Sequence, residues 1–349
     1  MEIDTQIKMF NDVFAPKTGE KILFLIDKPH DDIKDSNVWK GRREMAFEWY
    51  TVFKKMGEEN QFSVDILEYP ATGIHNSPIP KKILQEAFKS NLVLAMTEYS
   101  ATSSLASIRN NKDVNIRVAS MPMIEKRMEE TALKADYAEV ASYAMAIEKM
   151  LNNAVGADIS FSTGDHLYLD LRNRTALSDK GDCSKPGQFI NFPSGESCKV
   201  PYEATSDEID EYGESKTEGV LPAHYNNEIV RFEVKNNKVV NVLGDNKKAE
   251  EMKRFFEEND THRNIAELGI GCNPNAVITG NILEDEKVGL HIAYGMSAHL
   301  GGKVDSDMHQ DICYSKGLPV EGTTVTLNNS DGSKTELIKD SMLRYELLK

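Results

Sequence analysis

The chain has 349 residues, of which 40% are apolar and 28% charged, a composition typical of a folded protein with one large or two ordinary domains. Its 56 acidic and 41 basic side chains give a net charge of -15, which argues against nucleic acid or an anionic membrane as the main partner. No stretch approaches the roughly 18 apolar residues of a membrane span, and the four widely spaced cysteines are too few for a disulfide framework. Because the N-terminal segment is polar and unlike a signal peptide, we predict a cytoplasmic protein with free thiols.

The first half of the chain alternates apolar runs with amphipathic helical segments. Residues 21–27 (KILFLID) form a continuous apolar run that ends in a charge, as buried parallel strands do. Further strands are predicted at residues 62–69, 91–97 and 115–120, with helices between them and a long helical region at about 124–151. This alternation predicts that residues 1–155 form a doubly wound α/β domain with a mainly parallel sheet. No glycine-rich nucleotide-binding motif follows these strands, so we interpret this domain as a scaffold.

The pattern changes after residue 155, where short segments alternate apolar and polar side chains. Residues 157–162 and 166–172 show this alternation, which is typical of antiparallel strands with one exposed face. Residues 228–243 predict a hairpin that turns at Asn236 and Asn237. Residues 156–349 are therefore predicted to form a second domain, α+β and largely antiparallel.

Residues 263–314 hold a high density of carboxylates and imidazoles, the donors that divalent transition metals take. His309 and Asp311 stand at i and i+2, which on a strand places both side chains on one face. His291 and Glu267 each alternate with apolar residues, so they are expected to point away from the side chains that enter the core. The candidate metal ligands of this second domain are Glu196, Glu267, His291, His309 and Asp311.

Two other features of this stretch each allow two interpretations. The charged turn at residues 284–287 (EDEK) is either a solvated loop, which we favour, or part of the entrance to the site. Cys272 and Cys313 are either ordinary buried cysteines, which we favour, or contacts of a metal ion.

The motifs of this half resemble those of the aminopeptidase T family of metallo-aminopeptidases, which includes aminopeptidase S. The resemblance covers about residues 191–314 and rests on FPSGE (192–196), NIAELGIGCNP (264–274), NILEDEKVGLHIAYG (281–295) and HQD (309–311). It implies a homodimer that removes N-terminal residues from peptides. It also implies that a pair of divalent ions, such as zinc, cobalt or manganese, is surrounded by Glu196, Glu267, His291, His309 and Asp311.

The resemblance further implies a hydrolytic mechanism. Two ions about 3.5–4 Å apart would activate a bridging water and polarise the peptide carbonyl. Glu196 or Glu267 would serve as the general base. The carboxylates would also attract the free α-amino group of a peptide substrate.

One position departs from the family, because its ligand tyrosine is replaced here by Ala298. His299 is next to it and is an additional candidate ligand, and Tyr294 and Tyr314 are two further side chains near enough in sequence to substitute. The segment from this position to the HQD motif is also shorter than in the peptidases.

The same fold is used by 2,5-dihydroxypyridine dioxygenase, a mononuclear iron enzyme, and this gives the alternative interpretation. In that case His291, His309 and Asp311 would form a ferrous site of two histidines and one carboxylate, with positions open for a ring substrate and oxygen. A third interpretation is a catalytically inactive relative that binds a metal ion or a small molecule. Retention of both glutamates favours the peptidase, which is the main prediction.

Overall fold

The computed structural model of the chain describes residues 1–109, 115–225 and 228–349. Its α-helices are α1 (Ile3–Phe14), α2 (Asn37–Asn60), α3 (Lys81–Ala87), α4 (Thr102–Arg109), α5 (Tyr137–Asn153), α6 (Ile209–Tyr212), α7 (Lys247–Glu258) and α8 (Ile282–Asp285). Its strands are β1 (Lys21–Lys28), β2 (Ser63–Pro70), β3 (Leu92–Ala95), β4 (Arg117–Ser120), β5 (Ala154–Phe161), β6 (His166–Asp170), β7 (Leu177–Asp179), β8 (Phe189–Asn191), β9 (Glu196–Lys199), β10 (Glu218–Tyr225), β11 (Glu228–Lys235), β12 (Lys238–Leu243), β13 (Ile265–Cys272), β14 (Val288–Gly295), β15 (His309–Cys313), β16 (Gly322–Asn329), β17 (Lys334–Lys339) and β18 (Met342–Leu343). Short 3-10 helices lie at Lys126–Glu130, Ala132–Lys134, Asp260–Arg263, Ala298–Leu300 and Tyr345–Leu347.

The chain divides into two compact units, each built from several stretches of sequence. Unit 1 comprises Met1–Ala141, Asp179–Ser194 and Asn273–Asp285. Unit 2 comprises Ser142–Ser178, Gly195–Cys272 and Glu286–Lys349. The predicted division instead placed a single boundary between residues 155 and 156.

Unit 1 contains a five-stranded sheet in the order β2-β1-β3-β4-β8, and all of its paired strands run parallel. The apolar run of β1 is buried at its six central positions, as expected for a strand covered on both faces. Helix α2 begins where the Ser36 hydroxyl accepts the backbone N–H of Trp39. Its Trp49 and Phe53 pack with Phe10 of α1 in the core of this unit.

The predicted helix at about 124–151 begins later than expected. Two short 3-10 helices precede α5, and α5 itself begins at Tyr137. The carboxylate of Asp136 accepts the backbone N–H groups of Ala138 and Glu139, which is the contact that starts a helix at this point. Before Asp136 the apolar residues have helical spacing, but they belong to the two 3-10 helices and not to α5.

Unit 2 contains an eight-stranded sheet in the order β12-β11-β10-β6-β5-β16-β17-β18, whose paired strands are antiparallel. The predicted hairpin of β11 and β12 is present, with Asn236 and Asn237 at φ of 50° and 63°. A second sheet has the order β15-β14-β13-β9-β7. The predicted fold class, a mainly parallel sheet followed by a largely antiparallel α+β region, is therefore confirmed.

Within the three described ranges, no helix combines the length and apolar character that crossing a membrane requires. All four cysteines are buried, and none forms a disulfide bond in the part of the chain that the structure describes. The cytoplasmic location and the homodimer stay predictions.

Candidate metal centre

The candidate ligands lie on four neighbouring strands of the β15-β14-β13-β9 sheet. In the antiparallel register, Gly271 of β13 pairs with Glu196 of β9, and Gly269 of β13 pairs with His291 of β14. Ala293 of β14 pairs with both Glu267 of β13 and Asp311 of β15. Because side chains alternate along a strand, these pairings place the ligand-type side chains on one face of the sheet.

Glycine on this face leaves room for the imidazole of His291. A Cβ atom at Gly269 would lie 1.9 Å from His291 Nε2, so any larger residue would collide with the ring. At Gly271 a Cβ would come within 2.2 Å of the backbone of Lys287. The GIG sequence of β13 is therefore required by the close approach of the site to this strand.

The five predicted ligands converge into two groups that share Glu267. In the first, His291 Nε2 lies 3.3 Å from Glu196 Oε2 and 3.4 Å from Glu267 Oε1. In the second, His309 Nε2 lies 3.1 Å from Glu267 Oε2 and 3.4 Å from Asp311 Oδ1. Within each group the donor atoms all lie within 4.8 Å of one another. These separations suit ligands that each lie about 2.0–2.2 Å from a common ion.

The second nitrogen of each imidazole has a different environment. His309 Nδ1 lies 2.6 Å from the carbonyl oxygen of Met296. Donation to that carbonyl leaves the lone pair on Nε2, the tautomer that binds a metal ion. His291 Nδ1 is buried and has no hydrogen-bond partner among the described residues.

The carboxylates make the site strongly favourable for positive charge. Burial alone would lower the pKa of His291, but its contacts with Glu267, Glu196 and Asp311 outweigh this and raise the pKa to about 9. The pKa of His309 is likewise raised, against burial, by Asp311 and Glu267. Burial would raise the pKa of the Glu267 carboxyl, but the two imidazoles hold it well below its usual range.

A divalent cation fits this donor set. The field that favours protonated imidazoles also favours a metal ion, which would then replace those protons. In addition, Glu196 Oε2 is buried and finds no hydrogen-bond donor in the described part of the chain. A buried, unsatisfied carboxylate oxygen facing an imidazole is explained by a cation or by a donor on a bound molecule.

Lys287 is a component of the site that the sequence interpretation missed. Its ammonium is completely buried and donates to Glu196 Oε1 and to Glu286 Oε1, both at 2.6 Å. Burial raises the pKa of Glu286 to about 8, and the carboxylates of Glu196 and Asp311 add to this effect while Lys287 opposes it. The cluster therefore contains one built-in cation among its carboxylates.

The charged turn at 284–287 is buried, so its interpretation as a solvated loop is wrong. Glu284 is fully buried against Arg127 in unit 1, and Asp285 accepts the backbone N–H groups of Thr279 and Gly280 at 2.8 and 2.9 Å. Each acid of the turn has a cation or backbone donors as a partner, and these contacts offset the free-energy cost of burying its charge. In unit 2 the turn supplies Glu286 and Lys287 to the metal centre.

The two tyrosines considered as substitutes for the family ligand, Tyr294 and Tyr314, contact other aromatic residues. The Tyr294 hydroxyl lies 3.3 Å from that of Tyr225, and its ring packs on phenylalanines of the unit 2 core. Tyr314 is buried with its ring against Phe161. The exposed His299 lies outside both donor groups, with its ring edge-on to that of His309 at 4.7 Å between centroids.

The thiol of Cys198, which the sequence interpretation did not single out, interacts with two of the candidate ligands. Burial, together with Glu267 and Glu196, raises the pKa of the Cys198 thiol well above its usual value. This environment favours the thiol form, which is a weaker metal ligand than a thiolate. Cys272 and Cys313 are buried and belong to neither donor group, in agreement with the favoured interpretation.

A buried ion cluster supports the loop that leads to His309. Arg174 lies 2.7 Å from both Glu203 and Glu208. Glu203 also accepts the hydroxyl of Ser297 and the backbone N–H of Lys303, the latter at 2.9 Å. The carboxylate thus fixes both ends of residues 297–303. No motif marks this cluster in the sequence.

Comparison with known proteins identifies the family. A family model described as NicX, 2,5-dihydroxypyridine 5,6-dioxygenase, matches residues 60–331. The structure of 2,5-dihydroxypyridine dioxygenase from Pseudomonas putida KT2440 is similar with a TM-score of 0.72 at 14% identity, covering 100% of both chains. Wild-type AmpT from Thermus thermophilus is similar with a TM-score of 0.63 at 12% identity, covering 98% of both chains. Comparison with curated protein sequences finds no match.

These matches correct the main functional prediction. At such low identity the two structures show a shared fold, which explains why the motifs resemble those of the aminopeptidases. The family model, however, points to an oxidoreductase, so the prediction of a hydrolase, aminopeptidase or peptidase is wrong. The roles of Glu196 and Glu267 as catalytic bases of peptide hydrolysis are lost with it. Because its model matches most of the chain, this protein belongs to the NicX family of 2,5-dihydroxypyridine 5,6-dioxygenases.

Proposed function

We propose that the chain is an iron-dependent dioxygenase that opens a hydroxylated pyridine ring of the 2,5-dihydroxypyridine type. The observation that carries the proposal is the set of buried His291 and half-buried His309 and Asp311 on one sheet face in a member of this family. Two imidazoles and one carboxylate are the donor set of non-haem ferrous oxygenases. Iron therefore replaces the predicted pair of zinc, cobalt or manganese ions.

Three residues would hold the iron, and their neighbours prepare them for it. Donation from Nδ1 of His309 to Met296 keeps Nε2 free of a proton and fixes the ring. Glu267 lies between the imidazoles of His291 and His309 and compensates part of the charge of a cation bound there. A ferrous ion in this position would supply the redox chemistry that lets O₂ react with an aromatic ring.

Glu196 has the properties of a substrate contact in this proposal. Its Oε1 is held by Lys287, while its Oε2 is buried and without a hydrogen-bond donor among the described residues. A ring hydroxyl of the substrate can donate to Oε2 and so complete its hydrogen bonding. This contact would favour rings that carry a hydroxyl over those that do not, because a buried carboxylate oxygen left without a hydrogen-bond donor is costly.

The overall reaction balances without a further reductant. One C–C bond of the ring, between C5 and C6 as the family description states, is broken, and both atoms of O₂ enter the product. The product thus contains every atom of the ring substrate and of O₂. The residues described here would bind the ring, orient it and satisfy its hydroxyl.

The test is oxygen uptake by protein loaded anaerobically with Fe²⁺ and supplied with 2,5-dihydroxypyridine. With isotopically heavy O₂, both labelled atoms are expected in the ring-opened product by mass spectrometry. Asp311→Asn is expected to lose at least ~100-fold in rate by removing the anionic ligand. Gln310→Ala is the matched control, because Gln310 lies between the two ligands on the same strand but is exposed. Iron-loaded protein that takes up no oxygen with this ring or its close relatives contradicts the proposal.

A further inference from the structure

The geometry of the centre offers two adjacent positions for a cation. Glu267 presents Oε1 to His291 and Oε2 to His309, so its two oxygens face different donor groups. The first group is completed by Glu196 and the second by Asp311. A carboxylate used in this way bridges two ions in two-metal sites, where the ions lie about 3.5–4 Å apart. The donor atoms alone therefore do not limit the centre to one ion.

Charge distinguishes the two positions. The group around His309 contains the carboxylates of Glu267 and Asp311, and neither is paired with a lysine or arginine in the described ion pairs. In the other group, Glu196 is already paired with the buried ammonium of Lys287 at 2.6 Å. Glu286 holds the same ammonium from another side at 2.6 Å. One of the two positions thus has a fixed positive charge beside it.

We propose that Lys287 limits the centre to a single divalent ion by acting as a permanent cation beside Glu196. This inference rests on the proposed function, since it concerns the same metal centre. Lys287 is a positioning residue: it compensates Glu196 and keeps Oε2 available for a substrate hydroxyl. With His291 retained by the first ion, a second ion held by Glu196 and Glu267 would lie close to the buried ammonium, and like charges at short range in a poorly solvated site repel strongly.

Removing the ammonium is expected to create the second position. In Lys287→Met the carboxylates of Glu196 and Glu286 lose their cation, and a divalent ion is the natural replacement. The second ion is expected to bind at least about tenfold more tightly than in the wild type, since one charge at this range exceeds the free energy of one decade in Kd. Lys287→Gln removes the same charge but keeps a hydrogen-bond donor for Glu196, and it is expected to behave alike.

The experiment is a titration with Mn²⁺, followed by elemental analysis of the desalted protein and by EPR. The wild type is expected to bind one ion per chain with the spectrum of an isolated Mn²⁺. Both Lys287 variants are expected to bind two, with the spectrum of a spin-coupled pair that a stray surface ion cannot give. The double variant Lys287→Met with Glu196→Gln should return to one ion. Lys334→Met, which removes an exposed lysine of the same unit, is the charge control and should match the wild type.

Two results would overturn the inference. One is a wild type that binds a spin-coupled pair of ions, a measurement that needs no variant. The other is one isolated ion in every Lys287 variant that retains the wild-type circular dichroism. Failure of the proposed function is separate: a wild type that binds one ion but opens no ring leaves the role of Lys287 intact. If the wild type opens the ring but the Lys287 variants still bind one ion, the proposed role of Lys287 is wrong and the proposed function stands.

Discussion

Arg174 holds two buried carboxylates, and Arg174→Met is expected to destabilise the protein by about 3–5 kcal/mol. The guanidinium lies 2.7 Å from Glu203 and 2.7 Å from Glu208. The exposed fraction of the three side chains is 5% for Arg174, 1% for Glu203 and 6% for Glu208. Removing the cation leaves two charges without their main partner in a poorly solvated place, which is the costly way to break a buried ion pair.

The remaining contacts of Glu203 and Glu208 keep the expected loss of unfolding free energy in Arg174→Met within about 3–5 kcal/mol. Glu203 retains the hydroxyl of Ser297 and the backbone N–H groups of Lys303 and Val304, at 2.9 and 3.1 Å for the last two. Glu208 retains the ammonium of Lys303 at 3.4 Å. Because Glu203 fixes the loop that precedes β15, we also expect weaker metal binding in the variant.

The assay is urea unfolding followed by circular dichroism, with the free energy of unfolding compared between variants. Lys303→Met is the matched control, because Lys303 contacts the same Glu208 but its side chain is 40% exposed. That control is expected to cost no more than about 1 kcal/mol, as exposed ion pairs do. Equal losses in the two variants, or a loss below about 1 kcal/mol for Arg174→Met, would refute the reasoning that burial sets the cost.

The same pair gives a pH dependence with a definite sign. The hydrogen bond from Arg174 is the largest influence on Glu208 and lowers the pKa of its carboxyl from 4.5 to about 2. A lowered pKa in the folded state adds stability above the unfolded value, and this stability is lost as the pH falls through the folded value. The difference between wild type and Arg174→Met is therefore expected to shrink between pH 4.5 and pH 2. A difference that stays constant over this range would show that Glu208 is not its source.

Three further predictions concern the metal centre and its surroundings. Gly269→Ala would place a Cβ 1.9 Å from His291 Nε2 and displace the imidazole ring. Titration with Mn²⁺ is therefore expected to show metal binding weakened on the order of 10–100-fold. An unchanged Kd would mean that the His291 ring is not a ligand. Burial lowers the pKa of Lys199 from 10.5 to about 8, so the charged form of this side chain destabilises the folded state. As the pH rises from 8 to 10.5, the free energy of unfolding of the wild type, measured in urea, should therefore increase relative to that of Lys199→Met. Anaerobic Fe²⁺ at about 100 times its Kd should raise the free energy of unfolding by about 2.7 kcal/mol, and a chelator should reverse this; no shift would indicate that the folded chain does not hold the ion.

Local pattern was sufficient for most secondary structure. The buried run of β1 and the hairpin of β11 and β12 were predictable because burial on two faces, or a turn at paired asparagines, leaves a mark within a few residues. The start of α5 was not, because the spacing of apolar residues continues across Asp136 while the capping hydrogen bonds do not. Boundaries depend on a single side-chain contact, whereas element type depends on many residues.

The donor residues of the site were predictable for the same reason. Alternation placed His309 and Asp311 on one face, and the pairing of β14 with β15 then brought them beside Ala293 and Glu267. Lys287 was not predictable, since its partner Glu196 is 91 residues away in sequence. The same holds for Glu203, which meets Ser297 across 94 residues. Contacts of this kind carry no local periodicity.

The wrong prediction of a peptidase has a physical origin in what a ligand motif contains. Carboxylates and imidazoles at the right spacing specify a cation site, but the same atoms can surround one ion or two, as the two donor groups around Glu267 illustrate. The number of ions depends on how much negative charge of the ligands the surrounding residues leave uncompensated. One buried ammonium reduces that negative charge by one elementary charge. In this chain the ammonium belongs to Lys287, in a turn that the sequence presents as an ordinary solvated run of charges. If the charge of Lys287 sets the number of ions, hydrolytic and oxygenase centres on this fold can have the same metal ligands and differ in the residues around them. The residues to compare are then the cations that neutralise the ligand carboxylates.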